Sequence, residues 1–114
     1  MQQLKDRIRR EGKVLPGNII KVDGFLNHRV DTRLMADIAD EFAKFFDVES
    51  ITMVLTAEAS GIALATICAQ KYNVPMVFAK KAKSDNIEGG LYQSEIFSYT
   101  YKKKVTQILS KEWL

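Results

Sequence analysis

Cysteine and histidine each occur once in the 114 residues, as Cys68 and His28. One cysteine excludes an intrachain disulfide and fits a reducing cytoplasm. One of each is too few for a zinc site built from His and Cys ligands. No Gly-Lys-Ser or Gly-Lys-Thr phosphate loop occurs, and no dinucleotide-type glycine fingerprint. No run approaches the roughly eighteen consecutive apolar residues of a membrane span. Residues 1–12 are charged throughout and lack the apolar centre of a secretory signal. The expectation is a cytoplasmic chain with no metal centre of its own and no membrane partner.

What remains is an ordinary globular composition. Hydrophobic residues make up 46% and charged residues 27%, enough for one domain of common size and none of the bias of a disordered chain. The formal net charge of +3 says little about partners by itself. The charge is concentrated in two clusters, Lys80, Lys81 and Lys83, then Lys102, Lys103 and Lys104. Each is either a solvated surface or an anion-binding patch. The sequence pI near 9.0 raises the question of nucleic acid. Tyr99 and Tyr101 lie near one cluster, but neither cluster has the interleaved aromatic platform of a single-strand binder, so no nucleic-acid partner is expected.

Periodicity organises the chain. Leu4 and Ile8, one turn apart, predict a short helix over 2–11 stopped by Gly12. Pro16-Gly17 breaks the chain before a short strand at 19–22, and 23–29 reads as a loop. Asp31 is a good N-cap, with Val30 placed to staple onto Met35. Leu34, Met35, Ile38, Ala39, Phe42, Phe45 and Phe46 form a helical apolar stripe expected to be core. A β-branched strand at 51–56, a turn at 57–61, a mostly apolar helix at 62–72 and a strand at 76–79 make a βαβ unit. Such a unit implies parallel strands with a right-handed crossover. Cys68 lies inside its helix, where a buried small hydrophobe is expected. Residues 84–90, polar with paired glycines, are expected to be mobile, and 96–99 with 105–109 to form an antiparallel hairpin.

One turn stands out chemically. Glu58-Ala59-Ser60-Gly61 joins a strand's C-terminal end to a helix N-terminus, the place where open α/β sheets bind ligands. Free N–H groups and the positive end of the helix dipole suit phosphate there. Gly61 permits close approach, and the Ser60 hydroxyl adds a donor. A plain βα turn with a serine cap explains the same residues. The next strand ends in Lys80 and Lys81. Parallel neighbours bring their C-terminal ends to one sheet edge, so these cations are placed to face the same anion or one held by a partner subunit.

Three motifs, in order and with matching spacing, carry a family likeness over the whole chain. Residues 21–31, Lys-Val-Asp-Gly-Phe-Leu-Asn-His-Arg-Val-Asp, resemble the signature of xanthine phosphoribosyltransferases. Glu58-Ala59-Ser60-Gly61-Ile62-Ala63 resembles their Glu-Ser-Ser-Gly-Ile-Ala turn, and residues 77–84 resemble their Val-Phe-Ala-Arg/Lys-Lys-x-Lys-Ser. The resemblance implies an α/β type I phosphoribosyltransferase fold: a parallel sheet with flanking helices, a small N-terminal hood and an antiparallel hairpin. It implies one domain over 1–114, with a purine hood at 1–30, a βαβ core at 31–83 and a covering loop and hairpin at 84–109. It also implies transfer of a phosphoribosyl group from phosphoribosyl diphosphate to N9 of xanthine, giving xanthosine monophosphate and diphosphate, in a cytoplasmic homodimer with Mg²⁺. By position, Ile20 and Asn27 would bind the purine. Ala59, Ser60 and Gly61 would cradle the diphosphate, and Lys80 and Lys81 would neutralise it across the dimer interface.

Three departures accompany the likeness. Ala59 replaces the family's usual Ser, Leu64 a common Pro, and Ile20 the usual Leu. The family's two-Asp loop, which holds the ribose and 5′-phosphate, has no counterpart through Leu114. The expectation is therefore a fold incomplete at the C-terminus and a chain without transferase activity by itself, its catalytic residues unassigned. A purine-sensing regulator of the same fold is the alternative implied by the likeness.

Overall fold

The computed structural model describes residues 1–82, 90–98 and 102–114. Helix α1 (Gln2–Glu11) comes first, then a hairpin of β1 (Lys13–Leu15) and β2 (Ile19–Lys21), and a π-helical turn (Asp23–Asn27). Helix α2 (Thr32–Phe42) is followed by a 3₁₀ turn (Val48–Ser50), strand β3 (Val54–Ala57), helix α3 (Gly61–Tyr72) and strands β4 (Met76–Ala82), β5 (Leu91–Ser98) and β6 (Lys103–Ser110).

Gly12 ends α1 as expected, for a different reason from a left-handed cap. Its φ is −72°, and a Cβ there would run into the carbonyl of Ile8, to which the Gly12 N–H donates. Strand β1 was not foreseen, because all three of its side chains are exposed and leave no burial alternation to read. It pairs antiparallel with β2 through a turn in which Gly17 and Asn18 take φ of 84° and 60°.

The predicted loop after β2 is the π-helical turn, and its central Phe25 is fully buried. It packs against Leu34, Met35 and Ile38, with Leu4 and Ile8 of α1 and Leu64 and Ile67 of α3 packed around them. The Arg7 guanidinium lies 5.0 Å from the Phe25 ring centroid and donates to Asp31 Oδ2 at 2.9 Å. Asp31 Oδ1 in turn accepts the N–H of Leu34 at 3.1 Å, the expected N-cap of α2. One carboxylate thus starts α2 and holds α1 beside it.

The Leu34 N–H first, and Arg7 second, hold the Asp31 carboxyl below its usual value of 3.8. A depressed folded-state pKa adds stability above the unfolded value, and that stability is lost as pH falls through the folded one. Asp31→Asn keeps a capping oxygen but loses the ion pair. We expect its melting temperature to fall below wild type at neutral pH, with the gap closing below about pH 4. A gap independent of pH in parallel thermal melts would contradict this.

Leu34, Met35, Ile38 and Ala39 are buried as expected, but the stripe's C-terminal end is not core. Phe42, Phe45 and Phe46 are 41%, 74% and 64% exposed. Helix α2 stops at Phe42, and Phe42 and Phe46 line an apolar cavity of about 440 Å³ with Leu55, Leu64 and Tyr72.

The main sheet has the order β3-β4-β6-β5. β3 and β4 are parallel, as the βαβ pattern required, and β6 pairs antiparallel with both β4 and β5. The hairpin therefore extends the same sheet. Four strands differ in extent from the expectation. β3 begins at Val54 instead of Ile51, β5 and β6 are longer than predicted, and β4 continues past Ala79 to Ala82. Residues 84–89 of the predicted mobile segment, and Tyr99, fall outside the described residues.

Helix α3 buries Ala65, Cys68 and Ala69. Its Tyr72 hydroxyl donates to the Ala39 carbonyl at 2.5 Å, tying α3 to α2. Cys68 is 4% exposed, and burial pushes its thiol above the usual 9.0. Thiolate is the reactive form. Cys68 should therefore resist a thiol-reactive disulfide reagent at pH 8 in the native chain and react promptly in urea, which a colorimetric time course will show.

Candidate anion site at the β3–α3 turn

The site is built by the ends of two parallel strands. The register pairs Ala57 with Ala79, and the next step up carries the turn across to β4. The Glu58 N–H donates to the Ala79 carbonyl at 3.0 Å. The Glu58 carboxylate Oε1 then accepts the Lys81 N–H at 2.5 Å. Backbone and side chain of one residue thus bind the turn to the lysine-bearing strand. The Glu58–Ala59 peptide bond is cis.

Ala59 and Ser60 are exposed at the crest of the turn. Ser60 sits at the N-cap of α3 but makes no side-chain cap bond, so the serine-cap explanation of this residue does not hold. Gly61 is the first residue of α3, and a Cβ there would collide with Thr56 Oγ1 of β3. The glycine lets the helix N-terminus settle onto the strand. In the first turn of α3 the Ile62 N–H is already given to the Ala59 carbonyl at 3.2 Å, and the helix N-terminus as a whole favours an anion at the crest.

The lysines lie inside β4, not beyond it, and this separates them. Side chains alternate across a strand. Phe78 is in register with Thr56, and the Lys80 ammonium lies 5.9 Å from the Phe78 ring centroid. Lys80 therefore shares the sheet face of Thr56, against which Gly61 closes, while Lys81 projects from the opposite face. The pair is not a single cationic pincer within one chain.

The two residues expected to bind the purine stand on other elements. Ile20 is on β2, 56% exposed, and Asn27 ends the π-helical turn, also exposed. Their link to α3 is the core cluster in which Phe25 meets Leu64 and Ile67. Two contributors were missed by sequence reasoning. Thr56 has no motif to mark it, whereas Glu58 stood in the quoted motif as an acidic residue beside an anion site, an oddity that points to a structural task.

No family profile matches the chain. A xanthine phosphoribosyltransferase of Lachnoclostridium phytofermentans is 54% identical over 114 residues, which is all of this chain. One from Lactobacillus delbrueckii is 48% identical over 112 residues, and one from Ruminiclostridium cellulolyticum 47% over 114. Over its whole length the chain is similar to these xanthine phosphoribosyltransferases. It spans 59%, 58% and 60% of the length of these three relatives. Among solved structures, the adenine phosphoribosyltransferase of Giardia lamblia, complexed with 9-deazaadenine, matches with a TM-score of 0.71 at 20% identity. That match covers 97% of this chain and 61% of the other. The Saccharomyces cerevisiae adenine phosphoribosyltransferase gives a TM-score of 0.67 at 13% identity, covering all of this chain and 66% of that one. At such identities the likeness establishes the phosphoribosyltransferase fold, in agreement with the α/β expectation.

Among the described residues no three His, Cys, Asp or Glu side chains converge. Mg²⁺ commonly binds through one or two carboxylates and substrate phosphates. Near the turn, one oxygen of Glu58 is already taken by the Lys81 N–H. The described residues thus form no cage for the metal.

Proposed function

We propose that this chain carries the purine-hood and diphosphate-gripping part of a xanthine phosphoribosyltransferase. The reaction joins N9 of xanthine to C1 of the ribosyl group of phosphoribosyl diphosphate, releasing diphosphate and giving xanthosine monophosphate. The observation that carries this reading is the β3–α3 turn of a 54% identical chain, fixed beside a lysine-bearing strand with a helix N-terminus beneath its crest. Ala59, Ser60 and Gly61 hold the leaving diphosphate by backbone donors and the Ser60 hydroxyl. Lys80 supplies charge on the α3 side, and Lys81 from the opposite face serves a neighbouring copy in a homodimer. Ile20 and Asn27 take the purine, the Asn27 amide offering a donor and an acceptor to a polar base edge. Mg²⁺ arrives with the oxygens of the donor substrate. Residues 1–30 act as hood, 31–83 as core and 84–109 as cover, in the cytoplasm. Catalysis by this arrangement rests on positioning and on stabilising the departing charge, with water excluded from an oxocarbenium-like centre.

A chimera tests the reading. Residues 1–114, joined to the part of the Lachnoclostridium phytofermentans relative with no counterpart here, should form xanthosine monophosphate from xanthine and phosphoribosyl diphosphate. A folded chimera that forms none, beside an active parent relative, would refute it. The 114-residue chain should bind inorganic diphosphate in a titration followed by ³¹P resonance.

A further inference from the structure

We propose that Glu58 is a positioning residue for the diphosphate turn, acting as a hydrogen-bond acceptor and not through its charge. This rests on the turn's being the diphosphate site. The position is electrostatically perverse: a carboxylate stands one residue before the crest that must receive a polyanion, and its field there is repulsive. The geometry explains its presence. Glu58 spans the gap between two parallel strands at the point where the β3–β4 ladder ends, one rung beyond Ala57 and Ala79. Its N–H is satisfied by Ala79 and its Oε1 by the N–H of Lys81.

Lys81 is paired with Gln107 in the antiparallel β4–β6 register, so its backbone is held in the sheet on the β6 side. Through Glu58 the turn is anchored to that sheet. Gly61 against Thr56 anchors its other end. Between these two fixed points lie only Ala59 and Ser60. The donors of the crest are held in place before an anion arrives, and preorganised donors bind more tightly than ones that must be ordered.

The two possible roles of the carboxylate predict opposite signs. If Glu58 acts by charge, Glu58→Ala removes a repulsion and tightens diphosphate binding. If it acts as the anchor, Glu58→Ala weakens binding by about tenfold or more, the size expected when a hydrogen bond to a charged group is lost. Glu58→Gln separates the two. Its amide oxygen still accepts from Lys81 while the charge is gone, so its affinity should equal or exceed wild type. Titrating inorganic diphosphate into the 114-residue wild type, E58A and E58Q, by ³¹P resonance at fixed salt, gives the three constants. Hydrogen exchange at the Lys81 amide reports the anchor itself and should accelerate in E58A alone. If E58A does not fold, E58D takes its place, since it keeps the charge but falls one methylene short; weakened binding in E58D with normal binding in E58Q supports the anchor. Tighter or unchanged binding in E58A, or E58Q as weak as E58A, overturns it. Wild type that binds no diphosphate overturns the site assignment as well, whereas binding indifferent to these variants overturns only the role of Glu58.

Discussion

Gly61→Ala should lose diphosphate affinity about tenfold and fold stability by about 1–3 kcal/mol, the range for overpacking a filled space. The sign is informative because alanine is the better helix former, by about 1 kcal/mol over glycine. Propensity alone therefore predicts a more stable protein. The structure predicts the reverse, because the new methyl meets Thr56 Oγ1. Threonine has no flexible end to swing away, so either β3 or the N-terminus of α3 must shift. Both movements displace the crest donors. Thr56→Ala in the same chain removes the obstructing oxygen and should recover most of both losses. A double-mutant cycle read by urea unfolding and diphosphate titration should give a coupling energy close to the loss in G61A alone. Additive effects, or a stabilised single mutant, would show that the close approach does not govern this position.

Phe25→Ala should have the largest effect on folding, about 3–5 kcal/mol, the usual cost of removing a buried aromatic ring. Small domains have only about 5–15 kcal/mol in total, so much of the native population is at risk. Phe25 is fully buried at the meeting of α1, α2, α3 and the π-helical turn, and its ring carries the Arg7 guanidinium. Deleting it opens a cavity and removes the platform of a residue that also pairs with Asp31. Phe25→Leu keeps most of the volume and should cost far less. Urea midpoints for the two variants provide the comparison, and an F25A midpoint within error of wild type would refute the central role of this ring.

Much of this was legible before any coordinates. Asp31 announced α2 because a capping carboxylate followed by a 3.6-residue apolar stripe has few other readings. The β3–α3–β4 unit was legible because β-branched runs flank an apolar helix at crossover spacing. The errors share a cause. The fate of β4 beyond Ala79 depends on pairing with β6, far downstream in the chain, in the register that joins Ala82 to Thr106 and Lys80 to Ile108. Local sequence shows only lysines where the apolar run ends. β1 was invisible because its order comes from hydrogen bonds to β2 while its side chains face solvent. The Phe42–Phe46 end of the α2 stripe shows the converse, since periodicity identifies an apolar face without saying whether anything covers it. At the candidate site the motif located the turn, but the clamps that fix it, Glu58 to β4 and Gly61 on Thr56, are tertiary contacts.

Among the described strands β3 lies at the edge of its sheet, with one row of backbone groups outside the β4 ladder. On this strand Leu55 is 55% exposed and lines the apolar cavity with Phe42 and Phe46. An open strand edge flanked by oily side chains is a template for intermolecular pairing. The positive net charge of +3 offers only weak long-range repulsion against such encounters, and salt screens it within about 10 Å at 0.1 M. Self-association through this edge is expected to rise with added salt, which light scattering across a salt series will show.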